Sequence, residues 1–146
     1  MATHETIPGG DDRRAASAPL ARRVYAGYFI AQAVVGVAFW VGVAMSPRVR
    51  SWFEMLPARH AVTDSFLFAD VLLGIIGSLL VAWGIGATRR WAVPLAALTA
   101  GGLVYATLYL VAWVSFTGRG APLLAIMVPP STLSSWISYQ VWRSKP

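Results

Sequence analysis

Four apolar stretches, each long enough to cross a lipid bilayer as a helix, dominate the sequence. They cover residues 24–45, 66–87, 91–116 and 122–142. A membrane-spanning helix needs about 20 mostly apolar residues, because its backbone groups bond to one another inside the hydrocarbon. The chain is 57% hydrophobic and 12% charged, whereas a soluble domain has about 25% charged residues. We therefore expect an all-α, polytopic membrane protein whose residues 21–146 form a four-transmembrane-helix bundle.

The first 20 residues differ from the rest of the chain. They combine acidic residues, proline and glycine with no apolar period, so we expect 1–20 to be a disordered cytoplasmic tail. We do not expect a cleaved secretory signal, because the stretch 24–45 is longer than the about 7–15 apolar residues of such signals.

The positive residues beside the apolar stretches predict an orientation, because cytoplasmic loops are enriched in Lys and Arg. The side that holds both termini and the second connection carries Arg13, Arg14, Arg22, Arg23, Arg89, Arg90, Arg143 and Lys145. The opposite side carries Arg48, Arg50, Arg59 and Arg119. We expect both termini to be cytoplasmic in a bacterial cytoplasmic membrane. The paired arginines are typical of membrane anchors, so we expect no nucleic-acid partner.

Missing residue types exclude several chemistries. The sequence has no cysteine, which excludes disulfides, thiolate metal sites and thiol redox relays. Its only histidines are His4 and His60, too few for a histidine-rich metal or haem site. No nucleotide-binding or hydrolase motif is present. We expect no metal and no other cofactor.

The connection after the first apolar stretch predicts a short helix. Ser46 and Pro47 have the residue types of a helix cap and a first helical position. A stripe at i, i+3, i+4 and i+7 follows: Val49, Trp52, Phe53 and Leu56. We expect this helix to lie flat at the outer interface between spans one and two. Two interpretations stay open: a cap on the bundle, or a lid over an outward-facing cavity.

Asp70 is an acidic residue inside the apolar stretch 66–87, where a charge is least expected. It follows Asp64 by six positions and so lies about 9 Å deeper along span two. A charge within hydrocarbon is costly, and such residues usually face the bundle interior and serve a function. Four small residues share its helical face: Gly74, Gly77, Ser78 and Gly84. Asp70 is predicted to carry a proton or stabilise a cation, the alternative being a structural hydrogen bond. Asp64, directly before the apolar run, is predicted to cap the helix.

An aromatic stripe is predicted on span three. Tyr105, Tyr109 and Trp113 repeat every four residues, and the last two lie in the same outer half of the membrane as Asp70. A Tyr109 hydroxyl at that depth could bond the carboxyl. Packing of the rings against neighbouring helices is the alternative.

Span four contains two adjacent prolines at a similar depth. Pro129 and Pro130 break the helical hydrogen bonding and are tolerated where protein or a cavity lines the break. Together these features predict a pocket in the outer half of the bundle that suits a lipophilic molecule or a developing carbocation. Its predicted catalytic residues are Asp70 and Tyr109. Its predicted substrate-binding residues are Trp40, Tyr105, Trp113, Pro129 and Ser131.

Three motifs together resemble small bacterial four-helix membrane proteins of the DoxX-like kind. They are the acid opening span two within 68–74, the Arg89-Arg90-Trp91 turn, and the segment 105–113. The likeness extends over residues 24–142. More distantly, the chain is similar to sterol-isomerase (EXPERA-like) bundles, which implies that Asp70 and nearby Trp and Tyr residues stabilise a cationic intermediate.

Three functions remain open at the level of the sequence. The first is binding of an isoprenoid- or lipid-like substrate from the membrane, with acid-assisted isomerisation or cyclisation through Asp70. The second is a proton-coupled transporter of small molecules, assembled as a homodimer. The third is a non-catalytic accessory subunit of a larger membrane complex, with docking surfaces that include small residues. Those residues are Gly36, Gly42, Gly74 and Ala96.

Overall fold

All regular secondary structure in the described part of the chain is helical. The structure, a computed structural model, describes residues 10–55 and 60–144. The elements are α1 (Gly10–Met45), α2 (Pro47–Phe53), α3 (His60–Ala69), the π-helical segment π1 (Asp70–Gly77), α4 (Ser78–Gly86), α5 (Ala92–Thr117) and α6 (Ala121–Arg143). The predicted all-α class is confirmed for these residues.

Three helical segments are long and apolar enough to cross a membrane. They are Pro19–Met45 in α1, Val62–Gly86 across α3, π1 and α4, and Ala92–Thr117 in α5. They indicate a membrane-embedded protein. The fourth predicted span does form a helix, α6, but its two prolines and its serines make it less apolar, and it is not among the three.

The helix α1 begins earlier than the sequence predicts. The expected disordered tail covers residues 1–20, whereas the structure has helix from Gly10 onward, and residues 1–9 lie outside the described part. Between residues 10 and 20 the prediction is therefore corrected. The absence of an apolar period did not prevent helix formation, because this stretch is rich in alanine and arginine, which favour helix.

The long helices follow one another around the bundle. Helix α1 packs against π1 and α4, these pack against α5, and α5 packs along α6. The turn between α4 and α5 is tight: the Arg89 amide donates to the Gly84 carbonyl over 2.8 Å, and Thr88 has a φ of 53°. Helices α4 and α5 are thus antiparallel neighbours, as expected. Helices α1 and α6 touch each other little.

Small residues bring the helices of this one chain together. A Cβ atom on Gly36 would lie 3.1 Å from Ile75 Cγ1, and one on Gly42 would lie 3.6 Å from Val49 Cγ1. Ala96 is fully buried in the apolar core of α1, α4, α5 and α6. These three positions therefore face neighbouring helices of the same chain rather than the docking surface that the subunit hypothesis assigns them.

The second long helix is not α-helical throughout. Its middle, from Asp70 to Gly77, is a π-helix of eight residues. A π-helix has more residues per turn than an α-helix, so it changes which side chains share a face. Asp70 and Gly74 line an internal cavity, whereas a Cβ on Gly77 would lie 2.9 Å from Thr99 Oγ1 on α5. The predicted common face of small residues is therefore divided.

A short helix follows α1, as the sequence predicts. Ser46 caps α2, and its Oγ accepts a hydrogen bond of 3.3 Å from the Val49 amide. The helix ends at Phe53, and Leu56 lies outside the described residues. Its placement at a membrane interface stays a prediction.

Asp64 does not cap its helix. Helix α3 already begins at His60, so Asp64 lies about one turn inside it. Its Oδ1 forms an ion pair of 3.1 Å with Nη2 of Arg50 on α2. The carboxyl therefore joins α2 to α3, and the capping prediction was wrong because the helix extends further towards the N-terminus than the apolar run.

Candidate functional site

An internal cavity of about 330 Å³ lies between the long helices. All of them, and the residue Met55 after α2, contribute to its wall. The wall is almost entirely apolar, with Asp70 as its one acidic residue among the described side chains. A few uncharged polar side chains also reach it: Tyr28, Gln32, Trp40 and Thr63. Apolar cavities with few polar groups are typical of small-molecule sites.

Asp70 and Trp40 are hydrogen-bonded to each other in the wall of this cavity. Trp40, buried on α1, donates a hydrogen bond from Nε1 to Oδ2 of Asp70 over 3.1 Å. Among the described side chains no other group bonds the carboxyl, so Oδ1 is left without a protein partner. Asp70 is the first residue of π1, and π-helical segments recur at functional sites.

The segment after α2 covers one end of the cavity. Met55 is buried and packs against Leu110 and Leu123. Its amide donates to Thr63 Oγ1 over 3.2 Å, and the Thr63 hydroxyl in turn donates to Glu54 Oε1 over 2.7 Å. Together with the Arg50–Asp64 ion pair, these bonds hold the segment against α3. This arrangement fits the lid interpretation, because Met55 and Thr63 both line the cavity.

A polar cluster lies at the other end, where α1, α4 and α6 come together. The Gln32 Oε1 atom is 2.7 Å from the Tyr28 hydroxyl and 2.7 Å from the Ser134 hydroxyl. The Gln32 Nε2 atom donates to Ser78 Oγ over 2.8 Å. The Tyr28 hydroxyl also lies 3.1 Å from the Pro130 carbonyl oxygen. The cluster ties α1, α4 and α6 together.

The proline pair of α6 forms part of the wall. Pro129 and Pro130 both line the cavity. A proline has no amide hydrogen, so the carbonyls of Ala125 and Ile126 lack their usual helical donor four residues later. Helix α6 nevertheless continues through both prolines, and Ile126 lines the cavity together with them.

The cavity is reachable from the side of the bundle between α1 and α6. Val35 on α1 and Leu133 on α6 line the cavity and are also exposed on the bundle surface. Pro129 has both properties as well. Because α1 and α6 touch little, their facing edges leave an opening towards the apolar outer surface of the bundle.

The structure brings some of the sequence-predicted site residues together. Trp40, Asp70 and Pro129 all line the cavity. Ser131 does not, because its buried hydroxyl donates to the Val128 carbonyl of its own helix over 2.9 Å.

The aromatic stripe of α5 lies outside the cavity. Tyr109 packs against Phe66 and Trp113, with ring centroids 5.5 and 6.4 Å away, and does not bond Asp70. Tyr105 is 73% exposed and turned outward. Trp113 packs against the apolar cluster around Met55 instead. Helix α5 instead turns Leu103, Ala106 and Leu110 towards the cavity, and its aromatic stripe faces away from the carboxyl.

Three polar residues that the sequence did not predict for the pocket also line it: Tyr28, Gln32 and Thr63. Tyr28 and Gln32 are one helical turn apart and are both polar within an apolar stretch, a signal that could have found them. Thr63 gave no such signal, because it precedes the apolar run.

The fold and the site define a helical protein with three helices long and apolar enough to cross a membrane and with an acid-bearing apolar cavity. In the parts of the chain that the structure describes, no group of three His, Cys, Asp or Glu residues could hold a metal ion. Comparison with known protein families, with curated proteins and with solved structures finds no match to this chain.

Proposed function

We propose that the protein binds a lipophilic molecule inside its helical bundle, with the polar or cationic group of that molecule at Asp70. The observation that carries this proposal is the Asp70 carboxyl in the wall of an apolar cavity of about 330 Å³. The volume is at the lower end of the range for ligand pockets, about 300–1,000 Å³. The ligand is therefore small.

The bonding of Asp70 supports a ligand contact. Trp40 occupies only Oδ2, and Oδ1 faces no donor among the described residues. A polar group in an apolar environment costs free energy unless it is hydrogen-bonded or paired. A cationic or hydrogen-donating ligand group at Oδ1 supplies the missing partner.

The same geometry supports acid-assisted isomerisation of an isoprenoid-like substrate. In its protonated form, Asp70 donates its proton to one carbon of a double bond, which leaves a carbocation beside the new carboxylate. The carboxylate then takes a proton from a neighbouring carbon, so the double bond moves and the acid is restored. One carboxyl is sufficient for this cycle, and Trp40 positions it.

The proposal includes a membrane arrangement. Helix α6 is the fourth span, both termini are cytoplasmic, and the membrane is the bacterial cytoplasmic membrane. The positive residues, eight on one side and four on the other, support this orientation. In this arrangement the opening between α1 and α6 faces the acyl chains of the lipids. A lipophilic ligand enters the cavity from there.

Two matched probes test the binding proposal. Geranylamine and geraniol share one carbon skeleton and differ in their charge, and their binding is measured by equilibrium dialysis against lipid nanodiscs with and without the protein. We expect geranylamine to bind at least about tenfold more tightly than geraniol, since bonds to charged groups contribute about 1.5–3 kcal/mol. Asp70→Asn should abolish this preference, and Asp64→Asn, which alters a carboxyl outside the cavity, should retain it.

Equal binding of the two probes to the wild-type protein, or an unchanged preference in Asp70→Asn, would contradict the binding proposal. The isomerisation step is tested separately with an isoprenoid alkene in D₂O. Deuterium incorporation that depends on Asp70 supports the step. Its absence restricts the site to binding.

A further inference from the structure

The cavity is elongated along α1. Residues that line it recur along one face of this helix from Tyr28 to Trp40, which at 1.5 Å per residue is a length of about 18 Å. Trp40 and its partner Asp70 lie towards one end, and Gln32 lies eight residues away, at a distance of about 12 Å along the axis. A cavity of about 330 Å³ extended over this length suits a chain-like molecule.

Gln32 has an unused hydrogen-bond donor. Its amide nitrogen carries two hydrogens, and among the described residues only Ser78 Oγ accepts one, over 2.8 Å. Its Oε1 atom is already contacted by the hydroxyls of Tyr28 and Ser134. The side chain lines the cavity, so the group that it offers to a ligand there is a donor.

The two polar ends therefore have opposite chemistry. The Asp70 carboxyl offers an acceptor at one end, and the Gln32 amide offers a donor at the other. The wall between them consists of apolar groups that include Val35, Phe39 and Ile75. A ligand that satisfies both ends carries a donor and an acceptor separated by an apolar chain.

We propose that Gln32 is a second ligand-binding residue and that the ligand is a chain-like lipophile with polar groups at two positions. One group, a cation or hydrogen-bond donor, lies at Asp70. The other, a hydrogen-bond acceptor such as an ether, carbonyl or hydroxyl oxygen, lies about 12 Å further along the chain at Gln32. This inference rests on the proposed function of the Asp70 site and names its ligand class.

The opening between α1 and α6 is consistent with this class. Val35 of α1 and Ile126 of α6 line the cavity between the Gln32 cluster and Asp70, and both are exposed at the bundle surface. A flexible chain can pass sideways through such an opening, so neither polar end of the cavity has to open.

A set of straight-chain amines of one length tests the second contact. In each amine a single methylene is replaced by an ether oxygen, which accepts a hydrogen bond and hardly changes the shape, and the oxygen is moved stepwise along the chain. Affinities are measured in nanodiscs for the wild-type protein, Gln32→Met and Asp70→Asn, with the unsubstituted amine as reference.

We expect the ether about 12 Å from the nitrogen to bind about threefold to tenfold more tightly than the other ethers, as one net hydrogen bond provides. Gln32→Met should remove this maximum, so that all the ethers bind alike when each is compared with the unsubstituted amine on the same variant. A flat position scan in the wild-type protein, which requires no variant to fold, would overturn the inference. Equal weakening of all probes by Gln32→Met would also overturn it, since a purely structural role of the cluster predicts that result.

The outcomes separate this inference from the proposed function. If Asp70→Asn lowers the affinity for the unsubstituted amine while the position scan is flat, the Asp70 site is supported and the Gln32 contact is contradicted. If the affinity for the unsubstituted amine does not depend on Asp70, the proposed function is contradicted, and this inference is contradicted with it.

Discussion

The indole nitrogen of Trp40 lies 3.1 Å from Oδ2 of Asp70, and this hydrogen bond joins α1 to the first residue of π1. It holds the carboxyl at the cavity wall through Oδ2. By fixing the carboxyl, it also fixes the direction of Oδ1. The bond therefore relates the packing of two helices directly to the candidate site.

Removal of this donor should weaken both the fold and the site. We expect Trp40→Phe to lower the free energy of unfolding by about 1–3 kcal/mol, because a polar group is left without its partner. Geranylamine affinity should fall as well, since the carboxyl is no longer held in place. Thermal unfolding in detergent and dialysis in nanodiscs measure the two effects. Trp52→Phe, at a side chain that is 59% exposed on α2, is the matched control and should change neither.

A large side chain inside the cavity should block the ligand without touching Asp70. Ala106 on α5 lines the cavity, whereas Ala112 on the same helix is exposed. We expect Ala106→Phe to reduce geranylamine binding at least about tenfold by occupying the ligand volume, with Ala112→Phe close to the wild type. Retention of full affinity by a folded Ala106→Phe protein would show that the ligand binds elsewhere.

Two glycines of π1 provide a matched test of its packing. A Cβ on Gly77 would lie 2.9 Å from Thr99 Oγ1, while a Cβ on Gly74 would meet nothing within 4 Å. We expect Gly77→Ala to destabilise the protein by about 1–3 kcal/mol through overpacking. Gly74→Ala should be neutral or slightly stabilising, because alanine favours helix over glycine. Equal unfolding temperatures for the two variants would argue against this close approach of π1 and α5.

The ion pair between Arg50 and Asp64 should hold the segment that covers the cavity. Asp64 is partly exposed, so its loss should cost only about 0.2–1 kcal/mol. We expect Asp64→Asn to raise the hydrogen-exchange rate of the Met55 amide by up to about fivefold, because local opening becomes easier. Arg48→Gln, at an exposed arginine that lies 5.9 Å from the Trp52 ring, serves as the control. An unchanged exchange rate in Asp64→Asn would show that other contacts hold the segment.

The orientation and the fourth span can be tested with single cysteines, because the chain contains none of its own. We expect an impermeant maleimide to label Thr88→Cys and Ser144→Cys only after the cells are permeabilised, which lets the reagent reach the cytoplasmic side. Arg119→Cys, placed before α6, should be labelled in intact cells. Labelling of Arg119→Cys and Ser144→Cys from the same side would show that α6 does not cross the membrane.

Most of the helices could be predicted from the sequence. Apolar length predicted α5 and α6 to within one residue at each end, and Ser46 with Pro47 predicted the start of α2. These signals are local, because helix formation and capping depend on residues within a few positions of one another. The start of α1 was predicted less well, since alanine-rich helix gives no apolar period.

The site was only partly predictable. The cost of an acid in an apolar helix indicated that Asp70 faces the interior, but a helical repeat of 3.6 residues could not show that π1 begins there. The aromatic stripe with Tyr109 had the right spacing for a wall and nevertheless packs outside the cavity. Hydropathy does not record how far each helix is rotated about its own axis.

The sequence by itself determined the helical class, the apolar surfaces that indicate a membrane, and the presence of one acid where charge is costly. These properties follow from local composition and from the free energy of burying charge. Only the tertiary structure decided that Trp40 bonds Asp70, that Gln32 lies at the far end of the same cavity, and that α1 and α6 leave an opening. These contacts join residues 30 to 102 positions apart in the chain. A local sequence pattern does not determine which distant residues pack together.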